Sequence, residues 1–333
     1  MEKYLLLLFL VLGSVLLWIG VSANPAYVLL PTTQPLRIAV STSPLSSPVI
    51  IAERMGFFRE QQLTVQLLPI KGGYDCFNAL TRGDADLATS SETVVMFNSF
   101  ARNDFSIISS FAESDNDIKI IAKASSGIRQ PGDLLSHKVG IVSGSASEYF
   151  MDAILLMTGH PQQQLQRMDI APYDIGDALM AGAVDAISVW EPFAFQLQQQ
   201  YPTQVFQFKT KGIYSLSFNL LALRNSTVTN LQQHIQVLRA LNQAIQFIIE
   251  QPEQSQQIVS DYLKVPVTEV SALWPDYQFR LSLDNTLVSN LQAQARWAIE
   301  AQLVTTTNIP DYRNYIDPSA LNRVIHKSLV RKE

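Results

Sequence analysis

Cysteine is almost missing from this chain. Cys76 stands alone among 333 residues, so no internal disulfide can form. A lone thiol between Asp75 and Phe77 reads as a small buried side chain rather than a nucleophile. Histidine is scarce as well. His137, His160, His234 and His326 lie far apart, and no spacing among them makes a zinc pattern. The GxSxG elbow, the P-loop and the GxGxxG fingerprint are absent. No metal or cofactor is therefore expected. Charged residues make up only 16%, and the basic ones are the minority, 24 Lys+Arg against 29 Asp+Glu. Nucleic acid needs basic clusters for its phosphates, so it is not an expected partner.

Apolar residues are plentiful at 47%, enough to fill one large core or two smaller ones. They are also arranged. Lys3 precedes an apolar run from Tyr4 to Val21, followed by Val21-Ser22-Ala23 and Asn24. Small residues three and one before a cut after Ala23 fit a secretory leader. A run of this length also just reaches a membrane-spanning helix, so a retained anchor is the alternative. Both readings put the rest of the chain outside the cytoplasm. No cysteine follows the run, so lipid attachment there is not expected.

From Leu36 the pattern alternates. Leu36–Val40 is a short apolar run of strand length. Pro48 opens a helix that stops at Gly56, and Leu63–Leu68 is the next strand. The Lys71-Gly72-Gly73-Tyr74 turn leads to a helix ending at Arg82-Gly83, and Asp86-Leu87-Ala88 begins another strand. Strands alternating with helices predict an α/β fold with helices on both faces of a sheet. The chain also repeats itself. Ala79-Leu80-Thr81-Arg82-Gly83-Asp84-Ala85-Asp86 matches Ala178-Leu179-Met180-Ala181-Gly182-Ala183-Val184-Asp185, and the strand and serine loop at Arg37–Ser47 has a partner at Lys138–Ser147. A repeat of about 100 residues is too long for a solenoid and predicts two similar lobes. Beyond Arg224 come amphipathic segments at Leu231–Glu250, Glu253–Leu263 and Leu287–Ala301, punctuated by Pro252, Pro266 and Pro275. These read as a helical tail.

The order of these segments resembles the nitrate/sulfonate/taurine-type substrate-binding proteins, relatives of the thiamine-pyrimidine-precursor binding proteins. The resemblance is carried by Ile51-Ala52-Glu53-Arg54-Met55-Gly56-Phe57-Phe58, the Gly72-Gly73 turn and the Ala79-Leu80…Gly83…Asp86 segment. Further along it is carried by Gly127–Leu134, by Val139-Gly140-Ile141…Gly144-Ser145, and by Ala186-Ile187-Ser188-Val189-Trp190-Glu191-Pro192. It covers roughly Leu36 to Leu223. It implies a two-lobed periplasmic-binding-protein type II fold, each lobe a mixed sheet flanked by helices. The crossovers are expected near Ala122–Ser126 and Tyr214–Leu221. The resulting divisions are a leader or anchor at 1–23, a linker at 24–35, one lobe from 36–123 with 218–300, a second lobe at 124–217, and a helical tail at 301–333. The implied role is the extracytoplasmic, periplasmic solute-binding component of an ABC-type importer. It would act as a monomer, with a small-molecule ligand and a permease of the inner membrane as partners.

Ligand contacts are expected where serines precede helices, because free N–H groups and the helix dipole favour an oxyanion there. Those residues are Ser43, Ser46 and Ser47, then Ser90 and Ser91, then Gly144, Ser145 and Ser147. Ordinary N-capping by serine is the competing reading. Gly73 permits close backbone approach, and Tyr74 offers a flat apolar body with a polar tip. Trp190 would cover an apolar part of the ligand, with Glu191 and Asn219 supplying hydrogen bonds; the competing reading packs Trp190 in the hinge region and has Glu191 cap the next helix. Glu92 and Glu113 are expected near the C-terminal ends of first-lobe strands, where at the cleft they would repel an anion and welcome an amine; the competing reading of Glu92 is a favourable charge in a first helical turn. Arg37, Arg54, Arg82 and Arg129 read as surface residues, so an anion would depend on helix ends and hydroxyls. Two rivals remain: a membrane-anchored ligand sensor, and a biosynthetic enzyme on the same fold. The enzyme needs a metal set or a placed acid–base pair, and the sequence displays neither.

Overall fold

The computed structural model describes residues 34–160 and 165–330, with side chains as far as Ile325. The expected leader or anchor and nearly all of the expected linker lie outside them. Among the described residues no helix is long and apolar enough to cross a membrane.

Two sheets carry the fold. The first contains β1 (Leu36–Ser41), β2 (Val65–Ile70), β3 (Leu87–Ser91) and β4 (Phe105–Ser114). The second contains β5 (Ile118–Lys123), β6 (Lys138–Ile141), β7 (Gln166–Asp169), β8 (Ala186–Trp190) and β9 (Val205–Gln207). The chain then returns to the first sheet with β10 (Leu216–Leu223) and β11 (Tyr277–Ser282). The strand orders are β11-β4-β10-β3-β1-β2 and β7-β6-β8-β5-β9. In each lobe the first strand lies between two parallel neighbours, and an antiparallel strand follows the third. That fourth strand is β10 in the first lobe and β5 in the second, so each lobe receives it from a crossover. β1 is buried along nearly its whole length, as a central parallel strand covered on both faces must be.

The repeated motif does the same work twice. Gly83 and Gly182 both stand at φ 78 as left-handed ends of their helices, a conformation that costs a side chain about 1–2 kcal/mol. Two residues of each motif then turn back to the helix carbonyls, Asp84 N–H to Ala79 O at 2.9 Å and Ala183 N–H to Ala178 O at 2.9 Å. The closing aspartates match too. Asp86 exchanges bonds with the backbone of Arg37, and Asp185 with that of Lys138, each carboxylate accepting the first strand's N–H, at 2.8 and 3.0 Å. A helix stop and a strand register are thus encoded in eight residues and used once per lobe.

The crossovers differ from expectation. The chain leaves the first sheet after Ser114 and enters the second at Ile118, so the first crossover is Asp115–Asp117 and not Ala122–Ser126. The polar Asp115-Asn116-Asp117 run breaks the ladder, whereas Ile118–Lys123 continues as strand. The return runs from Phe208 to Ser215, which includes Tyr214, but Leu216–Leu221 already belongs to β10. The strands therefore divide the lobes at 114/118 and 207/216. The long helices of the tail appear at Leu231–Glu250, Pro252–Leu263 and Asn285–Glu300. Between them lies β11, which the reading of an all-helical tail missed. Tyr277, Phe279 and Leu281 alternate with polar residues, and the strand pairs with β4 as an antiparallel edge. Past residue 301 the chain packs onto the first lobe, with Tyr312 fully buried and its hydroxyl 3.0 Å from Ser99 Oγ.

Candidate functional site

A cavity of about 600 Å³ lies between the lobes. It is walled by the loops that follow β1, β2 and β3 on one side and β6, β7 and β8 on the other. These are equivalent positions in the two repeats, and all are strand C-terminal ends, where open α/β sheets bind ligands. Asp117 from the first crossover and Ile118 of β5, with Leu216 and Phe218 of β10, complete the wall.

Three helices start at this cavity. The helix Gly73–Arg82 begins after Gly72 at φ 86, Glu92–Ser99 after Ser91, and Ala146–Met157 after Ser145. Each aims the positive end of its dipole at the wall. Gly73 is required by crowding. A Cβ there would meet Ser90 Oγ at 2.9 Å and Ser90 Cα at 3.0 Å, and the Ser90 hydroxyl uses that closeness to donate to Gly73 O at 2.9 Å.

Of the residues singled out from sequence, Ser43, Gly73, Tyr74, Ser91, Gly144, Ser145 and Trp190 stand on the cavity wall. The others, apart from the partly exposed Glu113, are buried inside the lobes. Ser46 and Ser47 are fully buried and donate to Ser41 O at 2.8 Å and Pro44 O at 2.5 Å. Ser90 braces Gly73, as above. Ser147 donates to Ser188 O at 2.6 Å while Ser188 donates back to Ser147 O at 2.8 Å. Asn219 accepts from Ser110 Oγ at 2.7 Å and donates towards Ser217 O at 3.2 Å. Hydroxyls and amides shut away from water must find backbone partners, and these have turned inward to do so.

The carboxylates are braces as well. Glu92 is fully buried and accepts from the Tyr214 hydroxyl, from Ser217 N–H at 2.9 Å and from Gln294 Nε2 at 3.1 Å. Burial pushes its carboxyl up against those donors. Glu113 lies on β4 and pairs with Arg280 at 2.9 Å. Glu191 accepts from Phe195 N–H at 2.8 Å, the cap of the following helix, and stands 3.9 Å from Lys119. Burial raises Glu191 to about 7 and lowers Lys119. Neither glutamate that was expected near the cleft end of the first lobe is on the wall.

The wall also holds residues that sequence reasoning passed over. Tyr173 is one. It lies 99 residues beyond Tyr74, and Tyr173-Asp174 repeats Tyr74-Asp75 at the spacing that links Ala79 to Ala178. The repeat offset alone would have found it. Lys71 is another, its Nζ 4.6 Å from the centre of the Tyr173 ring on the opposite lobe. Asp117 is the third. Burial, with Glu191 adding to it, pushes the Asp117 carboxyl up to about 8.

Asp117 belongs to a polar knot that ties the crossovers together. Gly212 N–H donates to Asp115 O at 2.9 Å. Asp276 of the first lobe accepts from Asn116 Nδ2 at 2.6 Å and Lys211 Nζ at 2.7 Å, one residue from each crossover. Tyr277 reaches Asp117 at 3.4 Å. Cys76 is fully buried, and burial pushes its thiol up to about 12, so it is no thiolate at neutral pH. Among the described residues no group of three or more His, Cys, Asp or Glu could hold a metal ion.

Residues 43–255 match the family described as NMT1/THI5 like. A putative aliphatic sulfonates-binding protein of Bacillus subtilis (strain 168) is 23% identical over 266 residues, 78% of each chain. The periplasmic aliphatic sulphonate binding protein SsuA from Escherichia coli superposes with a TM-score of 0.73 at 20% identity, covering 85% of this chain and 97% of that one. The periplasmic nitrate-binding protein NrtA from Synechocystis PCC 6803 superposes with a TM-score of 0.69 at 14% identity, covering 88% of each. These structural likenesses show the two-lobed periplasmic-binding-protein fold.

Proposed function

The chain belongs to the NMT1/THI5 like family, and from that premise we propose that it is the extracytoplasmic solute-binding component of an ABC-type importer. Its task is capture: one small polar or anionic molecule is taken into the cavity between the lobes and presented to a membrane permease. The observation that carries this reading is the cavity itself, walled by six equivalent strand-end loops of two repeated lobes. The relatives it matches over most of their length are named for binding sulfonate or nitrate. A leader at Tyr4–Val21, cleaved or kept, puts the lobes in the periplasm. One chain forms the whole cavity, so a monomer suffices.

Two short crossovers let the lobes close as a hinge. A ligand that touches both walls gains contacts only in the closed form and shifts the population towards it. The permease then reads the closed shape. A thermal-shift screen over sulfonates, nitrate, taurine, pyrimidines and amino-bearing compounds tests the reading. A compound at about 100 times its Kd adds about 2.7 kcal/mol and raises Tm accordingly. A folded protein that no small solute stabilises contradicts capture.

A further inference from the structure

The cavity is ringed by aromatic side chains from both lobes: Tyr74, Phe97 and Phe218 on the first, Tyr173 and Trp190 on the second. Its charged wall residues are Lys71, Asp75 and Asp117. They are not equal in effect. Asp117 is shut away from water and protonates at about 8, so at neutral pH it is mostly uncharged. Asp75 stands in the first turn of Gly73–Arg82, where the helix end offsets its charge. Lys71 is exposed, and its ammonium reaches across the mouth to lie over the Tyr173 ring. With the two other helix starts, at Glu92 and Ala146, facing the same space, the balance of the wall favours an anion.

Size argues further. The lobes already touch at Lys71 and Tyr173, so about 600 Å³ is the space left when the mouth is bridged. Sites for drug-sized ligands span about 300–1,000 Å³, far more than a bare inorganic anion needs. Aromatic walls reward a flat apolar body with offset or edge-to-face contacts. Resting on the capture reading above, we propose that the ligand is a ring-bearing monoanion, that Lys71 selects its charge, and that Tyr173 flanks its ring. The contact between Lys71 and Tyr173 holds the ammonium in place before the ligand arrives. A cationic ligand meets that ammonium as a like charge, and a neutral isostere leaves it unused.

Titration calorimetry with toluenesulfonate, toluenesulfonamide, benzylammonium, methanesulfonate and nitrate tests this. Wild type binds toluenesulfonate at least about tenfold more tightly than the other four. Lys71→Met, a change at an exposed side chain, cuts the preference for sulfonate over sulfonamide to below about threefold, and Lys71→Glu reverses it. Asp75→Asn strengthens toluenesulfonate binding. Tyr173→Ala weakens both toluenesulfonate and sulfonamide by removing the ring contact, and weakens the sulfonate more because it also releases the Lys71 ammonium. The proposal is overturned if Lys71→Met leaves the preference intact, or if nitrate or methanesulfonate binds as tightly as toluenesulfonate. It is also overturned if wild type binds none of the five. In that last case capture itself still stands whenever another solute in the wider screen stabilises the protein.

Discussion

Trp297 Nε1 donates a 2.8 Å hydrogen bond to Asp152 Oδ2, joining the helix Asn285–Glu300 of the first lobe to the helix Ala146–Met157 of the second. The Asp152 carboxylate is fully buried, and its other oxygen accepts from Arg167 at 2.7 Å. Arg167 also approaches Glu148 at 3.4 Å, and Glu148 accepts from Gly144 N–H at 2.9 Å. On its other side Trp297 meets Tyr149 and Phe97 edge-on, at 5.1 and 5.9 Å. Gly144 and Phe97 are both on the cavity wall. The contact between the lobes is therefore linked to the site at both ends.

Removing the acceptor tests that link. Asp152→Ala strands the Trp297 N–H and takes a partner from Arg167, a loss of about 1–3 kcal/mol by the usual cost of an unsatisfied buried donor. Urea unfolding should show a lower midpoint with an unchanged slope. A midpoint equal to wild type would mean that the contact does not hold the lobes.

The knot at the crossovers makes stability depend on pH. Asp117 and Glu191 are raised from 3.8 and 4.5 to about 8 and about 7, in both cases first by burial. The folded chain thus binds these protons more tightly than the unfolded one. The stability they lend is complete below about pH 4 and is lost as pH rises through about 7 and then about 8. Lys119, Lys211, Asp276 and Glu269 surround them and do not reverse the sign. Urea midpoints of wild type should fall between pH 5.5 and 9, and those of Asp117→Asn should fall less. Parallel curves for the two proteins would remove Asp117 from this role.

The twin helix stops make a paired prediction. Gly83→Ala and Gly182→Ala each place a Cβ in the left-handed region, and each should cost about 1–2 kcal/mol. Neither new methyl would meet a close neighbour, the nearest being Lys123 Nζ at 3.6 Å from position 182. The two losses should therefore agree, measured by urea unfolding. A cost at one site only would show that the repeat is not mechanically equivalent.

Much of this was legible in the sequence, and the misses have physical causes. The α/β alternation, the long helices and the repeat follow from apolar period and glycine stops, which are local signals. The eight-residue motif could be read because each half performs the same helix stop. β11 was missed because Tyr277, Phe279 and Leu281 sit among helical segments, and a six-residue alternation is easily absorbed into them. Serines at helix starts were found, but which way each hydroxyl turns depends on burial. Ser145 stays on the wall as the cap of its helix, while Ser47 and Ser147 turn inward to carbonyls. Glu92 and Asn219 have partners more than 100 residues away in sequence, and no local pattern records such pairs. Lys71 sits in a glycine turn, where a lysine reads as an ordinary surface charge. Its meaning comes only from Tyr173 on the other lobe.

The central claim is that one solute is held between the lobes, and a single titration tests it most directly. The best stabiliser from the solute screen should be titrated calorimetrically into wild type and into Ser143→Trp. Ser143 is exposed on the cavity wall, so the indole fills the space without entering either core. The account predicts one molecule bound per wild-type chain and none bound to the variant, with both proteins equally stable unliganded. Undiminished binding to Ser143→Trp would contradict it.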